Sequence, residues 1–96
     1  MCIILIMNIK VKNMLSNSGN QVANQFVIFD ENGNKYFQSY DSIIVKIESD
    51  GKIILDSLLW DYSTTTSKYR NKFLCESTME TKQKIERGEY KLQNLN

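Results

Sequence analysis

The chain has no histidine and no proline, a single alanine, two arginines (Arg70 and Arg87) and two cysteines. Without histidine it lacks the side chain that ordinarily titrates near neutral pH, and Ser-His-Asp and Cys-His nucleophile arrangements are excluded. Cys2 and Cys75, with no histidine beside them, cannot complete a four-ligand structural zinc site within one chain. One bridge between them is formally possible, but it matches a disulfide-framed secreted domain poorly, so both read as free thiols in a reducing cytoplasm. Charge of one sign is lacking too: 12 basic residues against 11 acidic give +1. That balance excludes an acidic DNA-mimicking surface and a strongly basic coat, and leaves a local patch of either sign open.

With 96 residues, 42% of them hydrophobic, the chain has room for one domain, residues 1–96, around one core. The run Cys2-Ile3-Ile4-Leu5-Ile6-Met7 has no basic residue ahead of it and no small-residue cleavage site behind it. It is also far shorter than the roughly 20 residues a membrane span needs. It therefore reads as neither signal peptide nor anchor, and no membrane partner is expected. The run Met7 to Lys12 reads as a natural beginning, so residues 1–6 are expected to be a dispensable extension; a core strand through Ile3, Leu5 and Met7 is the alternative. The abundance of Ile, Lys and Asn is what an AT-rich coding sequence produces, pointing to a low-GC bacterium or its phages.

Ile9 and Val11 alternate with Asn8, Lys10 and Lys12, the period of a half-buried strand. Asn13 to Asn24, with Ser16-Asn17-Ser18-Gly19-Asn20 at its middle, reads as a loop. Two hairpins follow. Gln25 to Asp30 and Lys35 to Tyr40 flank Asn32-Gly33, and Ser42 to Ser49 and Lys52 to Asp56 flank Asp50-Gly51; each pair suits a type I′ turn. In the second hairpin Ile43, Val45 and Ile47 share one face and Ile44, Lys46 and Glu48 the other. A helix capped by Ser63 or Thr66 is expected to run to about Cys75, with Thr66, Tyr69 and Phe73 on one side. Ser77-Thr78-Met79-Glu80 is a capping box opening a second helix, Thr78 to Arg87, which Gly88 ends. Few apolar residues, Met79 and Ile85, anchor it, so it is expected at the periphery. Tyr90 and Leu92 fit a last short strand. The whole is an α+β domain: an antiparallel four- to five-stranded meander over 7–56, and a helical part over 63–88 with one packed and one peripheral helix.

The segment Trp60 to Leu74 is the first candidate site. Hydroxyls ahead of a helix amino terminus, followed by Lys68 and Arg70, suit an anion, because the first helical amides are unpaired; plain capping explains the same hydroxyls. At about 100° per residue Lys68, Asn71 and Lys72 form one polar stripe while Arg70 projects to the opposite side, towards an acid near the sheet. Tyr36, Phe37 and Tyr40 with Phe26 and Phe29 serve mainly the core, and a protein interface accounts for the surplus. Asp50-Gly51-Lys52, with Asp41 and Glu48, only superficially matches a metal-dependent nuclease, since the Asp-Gly pair is needed for a turn. Asp30-Glu31-Asn32-Gly33-Asn34 is no calcium loop: its glycine comes too early and no distal glutamate is in register. No metal and no cofactor is expected.

Three segments carry a resemblance: Asn17 to Phe26, then Tyr36-Phe37-Gln38-Ser39-Tyr40 with Ser42-Ile43-Ile44, then Trp60-Asp61-Tyr62-Ser63 through Lys68-Tyr69-Arg70-Asn71 and Phe73-Leu74. Over roughly Lys10 to Glu80 the chain resembles a family of small uncharacterised proteins carried by phages and mobile elements of low-GC Gram-positive bacteria. The resemblance implies a phage or prophage origin and a host cytoplasm, and carries over no catalytic residue. The expectation is a non-catalytic binding protein, an inhibitor of a host defence system such as a CRISPR effector, with Tyr36, Tyr40 and Tyr62 as anchors and Lys68, Arg70, Asn71 and Lys72 as polar contacts. A nucleic-acid-binding protein of phage replication or regulation, contacting phosphates through Ser63 to Lys72, is the alternative, and an uncovered sheet face leaves room for a homodimer.

Overall fold

The computed structural model of the chain describes residues 10–96. The backward extension of the first strand, the start at Met7 and Cys2 lie outside the described residues. Five strands, β1 (Lys10–Leu15), β2 (Gln21–Phe29), β3 (Lys35–Ser39), β4 (Ser42–Ile47) and β5 (Ile53–Asp56), lead into helices α1 (Thr64–Leu74) and α2 (Thr78–Glu86) and a last strand β6 (Lys91–Gln93). They form one six-stranded sheet in sequence order. Neighbours are antiparallel except β5 and β6, whose parallel pairing needs the long crossover the two helices supply. The fold is α+β, as expected, with more strands than the sequence suggested.

The loop expected over Asn13 to Asn24 is mostly ladder: β1 and β2 pair from Lys10↔Phe29 to Leu15↔Gln21, with an irregularity between Asn13 and Leu15. Its polar side chains line an outer hairpin, where pairing rather than burial holds a strand. Three of the hairpins share one turn. Gly19, Gly33 and Gly51 each donate to the carbonyl three residues back, on Ser16, Asp30 and Glu48, and each has a positive φ. This is a type I turn closed by a left-handed glycine, and Asn32 and Asp50, whose φ is not positive, do not form the expected type I′ turns. In the second turn the physical reason is Asp30. Its carboxylate accepts from the Asn32 and Asn34 amides at 2.9 Å and from the Tyr36 hydroxyl, folding the loop around a side chain.

A bulge on β4 corrects the expected face pattern. Phe37 pairs with Val45 and Gln38 with Ile43, so Ile44 is extra. Ile44 and Val45 are both buried, while Ile43 moves to the face away from the helices beside Tyr36 and Lys46. One inserted residue reverses a period of two. The core lies between sheet and helices: Phe37, Ile44, Val45, Leu55, Tyr69 and Tyr90, with Phe73 stacked on Phe37 at 5.8 Å. At about 1.5–3 kcal/mol per fully buried large apolar side chain, this layer is the main driving term.

Ser63 caps α1 by accepting from the Thr66 amide at 3.1 Å, and Thr66, Tyr69 and Phe73 meet the sheet as the spacing implies. A buried hydrogen bond of 2.8 Å joins the Thr66 and Ser39 hydroxyls, pinning the first turn of α1 to the end of β3. Cys75, free and exposed, ends the helix in the left-handed conformation. Both halves of the Ser77–Glu80 capping box are present in α2. Met79 is not an anchor, however: it is 69% exposed, and Ile85 alone of the expected pair reaches the core. The Glu76 carboxylate secures the helix instead, accepting from Thr81, Lys84 (2.8 Å) and Tyr90 (2.7 Å).

Candidate functional site

Helix α1 is polar on its outer side because TTTSKYRNKFL places Thr64, Lys68, Asn71 and Lys72 at helical spacing away from Thr66, Tyr69 and Phe73. The turn after β1, the Asp61–Ser63 segment and the start of α2 adjoin this side of the helix. Between them lies an open groove of about 730 Å³, lined by Asn17, Asp61, Tyr62, Ser63, Thr64, Ser67, Lys68, Asn71, Lys72 and Thr78. Four of the residues singled out from the sequence, Tyr62, Lys68, Asn71 and Lys72, therefore share one site.

Arg70 does not contact a partner from this surface, which corrects its place among the binding residues. It is 0% exposed. Its guanidinium donates to the Trp60 carbonyl, to Asp61 Oδ1 (3.1 Å), to Asn71 Oδ1 (2.9 Å) and to Thr78 Oγ1 (2.8 Å), and lies over the Trp60 ring at 5.1 Å. A long cation with so many acceptors gathered around it is a strut: it ties the loop before α1, the middle of α1 and the first residue of α2 together beneath the groove. Asn71 belongs partly to the strut, since its Nδ2 also donates to Thr78.

Burial alone pushes the Asp61 carboxyl up, but hydrogen bonds from Ser67 and Arg70, with the charges of Arg70 and Lys82, outweigh it and hold it below the usual carboxylate range. Asp61 is thus an anion neutralised by Arg70 at 3.1 Å. The uncompensated charges of the groove are Lys68 and Lys72, whose ammonium groups both sit over the Tyr69 ring, at 5.5 and 5.4 Å. Lys72 also donates to the Leu15 carbonyl at 3.2 Å. Tyr62 stands at the rim, 48% exposed. A carboxylate held low is a weak base, so the 2.5 Å contact from Ser67 to Asp61 positions the serine rather than activating it.

Tyr36 and Tyr40 lie elsewhere. Tyr36 is half-buried on the face away from the helices, its hydroxyl on Asp30, where a second groove of about 460 Å³ runs between Ile28, Tyr36, Ile43, Lys46 and the segment Gln93 to Leu95. Its hydroxyl is raised above the ordinary tyrosine value, first by burial and then by the Asp30 carboxylate. Tyr40 occupies the tight turn between β3 and β4, 49% exposed, at φ 58, with its amide bonded to Asn24. Asn17 and Thr78 were missed as site residues from the sequence, and Asp61 was included only as part of the segment Trp60 to Leu74. Asn17 reads as an ordinary turn residue and Thr78 as a cap position, and only the folded chain brings either to α1.

Among the described residues no cluster of three or more cysteine or acidic side chains is placed to hold a metal, and no helix is long and apolar enough to cross a membrane. Sheet, helix pair and groove define a small α+β domain with an open polar groove along the outer side of α1. Residues 9–90 match the model of a family of unknown function, DUF8033, and the chain belongs to that family. No curated protein and no solved structure matches it.

Proposed function

We propose that the protein is a non-catalytic binding protein of a phage or mobile element, acting in the cytoplasm of its bacterial host by covering a functional surface of a host protein. A defence effector, such as a CRISPR effector, is the partner class this reading names. The observation that carries it is the groove itself, in which one exposed aromatic, Tyr62, and two uncompensated lysines are mounted on a frame locked by Arg70. Exposed aromatics at a rigid rim are what interface hot spots are built from, and fixed charges beside them set orientation and partner choice. The absence of histidine from the sequence and the weak basicity of Asp61 favour binding over chemistry. The resemblance to phage and mobile-element proteins supplies the cellular setting.

The test is a pull-down of the tagged full chain from a low-GC Gram-positive host lysate, with and without nuclease. The expected result is a protein partner in stoichiometric amount that survives nuclease and is lost from the Tyr62→Ala/Lys72→Ala double variant, whose melting temperature stays close to that of the parent. Recovery of the same partner by the double variant would remove the groove from consideration. Recovery of nucleic acid alone would overturn the protein-partner reading.

A further inference from the structure

The near-zero net charge conceals a segregation. β1, β2, β3 and α1 (KVKNML, QVANQFVIF, KYFQS and TTTSKYRNKFL) contain no acidic residue and carry Lys10, Lys12, Lys35, Lys68, Arg70 and Lys72. Arg70 is buried and paired. The five lysines have no ion-pair partner among the described residues, nor do Lys82 on α2 and Lys91 on β6, whereas Lys46, Lys52, Lys84 and Arg87 are paired with glutamates.

The register brings those five together. Lys10, Phe29 and Lys35 form one cross-strand row, and Lys12, Val27 and Phe37 the next. Phe37 stacks on Phe73 of α1, and the Lys35 ammonium lies 5.4 Å from the Phe73 ring, so both rows face the helix side of the sheet. Lys72 reaches across from α1 to the Leu15 carbonyl at the end of β1, with Lys68 one turn before it. The lysines thus flank the part of the sheet face that α1, packed over β3, leaves open as far as the edge strand β1, a shallow channel. In its floor Phe29 is 36% exposed, with Lys35 6.0 Å from its ring.

We propose that this β1–α1 channel binds single-stranded nucleic acid without sequence preference, its phosphates meeting Lys10, Lys12, Lys35, Lys68 and Lys72 and a base stacking on Phe29. A cationic groove with an aromatic set between its charges is the arrangement that tracks a single strand. The residue choice suits phosphate: lysine binds it as a point charge, and neither arginine of this chain is available to the channel. Lysine is a point-charge phosphate binder with no base-reading fork, hence the lack of sequence preference.

The experiment measures fluorescence anisotropy of a labelled oligothymidylate with the full chain as salt rises from about 50 to about 200 mM. Five lysine–phosphate contacts at a slope of about −0.7 each predict that affinity falls roughly a hundredfold over that range. In Lys10→Ala/Lys12→Ala, two exposed strand positions outside the groove of Tyr62, the fall shrinks to about twentyfold. Phe29→Leu keeps an apolar side chain beneath Lys35, so it preserves the salt dependence while weakening binding by about tenfold. Lys46→Ala/Lys52→Ala, on paired lysines outside the channel, changes neither. Thermal melts establish that each variant is folded. No binding at the lowest salt, an unchanged salt dependence in Lys10→Ala/Lys12→Ala, tighter binding of a duplex, or equal competition by polyglutamate would overturn the proposal. The variants spare Tyr62 and Lys72, so failure here leaves the protein-partner reading standing, and failure of the pull-down leaves this one.

Discussion

Arg70 shows how one side chain can change meaning between sequence and structure. As the middle cation of Lys68-Tyr69-Arg70-Asn71-Lys72 it looks like part of a basic surface, yet its helical angle turns it inward, where the Trp60 carbonyl, Asp61, Asn71 and Thr78 accept its protons. Removing it strands those acceptors beneath the groove. Arg70→Met, which keeps the bulk, is expected to cost about 3 kcal/mol, the lower end for breaking a buried pair, because Asp61 is partly exposed and regains water. Urea denaturation measures it, and a loss under about 1 kcal/mol, the scale of a surface pair, would mean that the strut is dispensable. Tyr40 is the converse case. An exposed aromatic at φ 58 is a position most side chains disfavour, and the sequence offers no sign of it because the expected strand ran through Tyr40.

Elements were legible where the signal is local. Ser77 to Glu80 contains both halves of its capping box in four residues, so α2 begins where the sequence places it. The turns were legible as turns but not as types, since the choice rests on hydrogen bonds such as those Asp30 accepts. The glycines permit a graded prediction. Gly33→Ala and Gly51→Ala both place a side chain in the left-handed region, at about 1–2 kcal/mol. A Cβ on Gly33 would also come within 3.2 Å of the Ser49 Cβ, whereas one on Gly51 meets open space. Gly33→Ala is therefore expected to melt below Gly51→Ala, and equal melting temperatures would show that Ser49 gives way without cost. The β4 bulge was not legible at all: Ile43, Ile44, Val45 and Ile47 offer an apolar residue at nearly every register, and only the packing of Phe37 against Val45 selects one.

At the scale of the whole molecule, carboxylates sit at the joints. Asp56 joins the end of β5 to the carboxy-terminal segment, accepting from the Leu58, Leu59 and Leu95 amides and the Asn96 side chain. Asn96 in turn exchanges hydrogen bonds with the Ile43 amide and carbonyl, beside the bulge. Glu76 joins α2 to Tyr90, just ahead of β6. For Asp56 and Glu76, burial pushes the carboxyl up, but the hydrogen bonds outweigh it and the net shift is downward. A lowered folded-state pKa means that the stabilisation is complete above the ordinary carboxylate range and is lost as pH falls through the lowered value. Stability is therefore expected to be flat near neutrality and to drop in acid. Glu76→Gln should lower the neutral plateau and shallow the acid limb in thermal melts across pH; an acid limb as steep as the parent's would mean that Glu76 is not one of the groups responsible.

Local chemistry in the sequence determined the fold class, the hairpins at Asn32-Gly33 and Asp50-Gly51, both helices with their caps, and the grouping of Lys68, Asn71 and Lys72, because each depends on residues within a turn or two of one another. It determined also that histidine chemistry is absent. The helical angle already turned Arg70 towards an acid; the tertiary structure alone decided which acceptors it ties together, that Asn17 and Thr78 line the groove, and that Lys10, Lys12 and Lys35 face the helix. Those outcomes follow from strand register, one bulge and the helix crossover, which bring together residues far apart in the chain and are set by how the core packs.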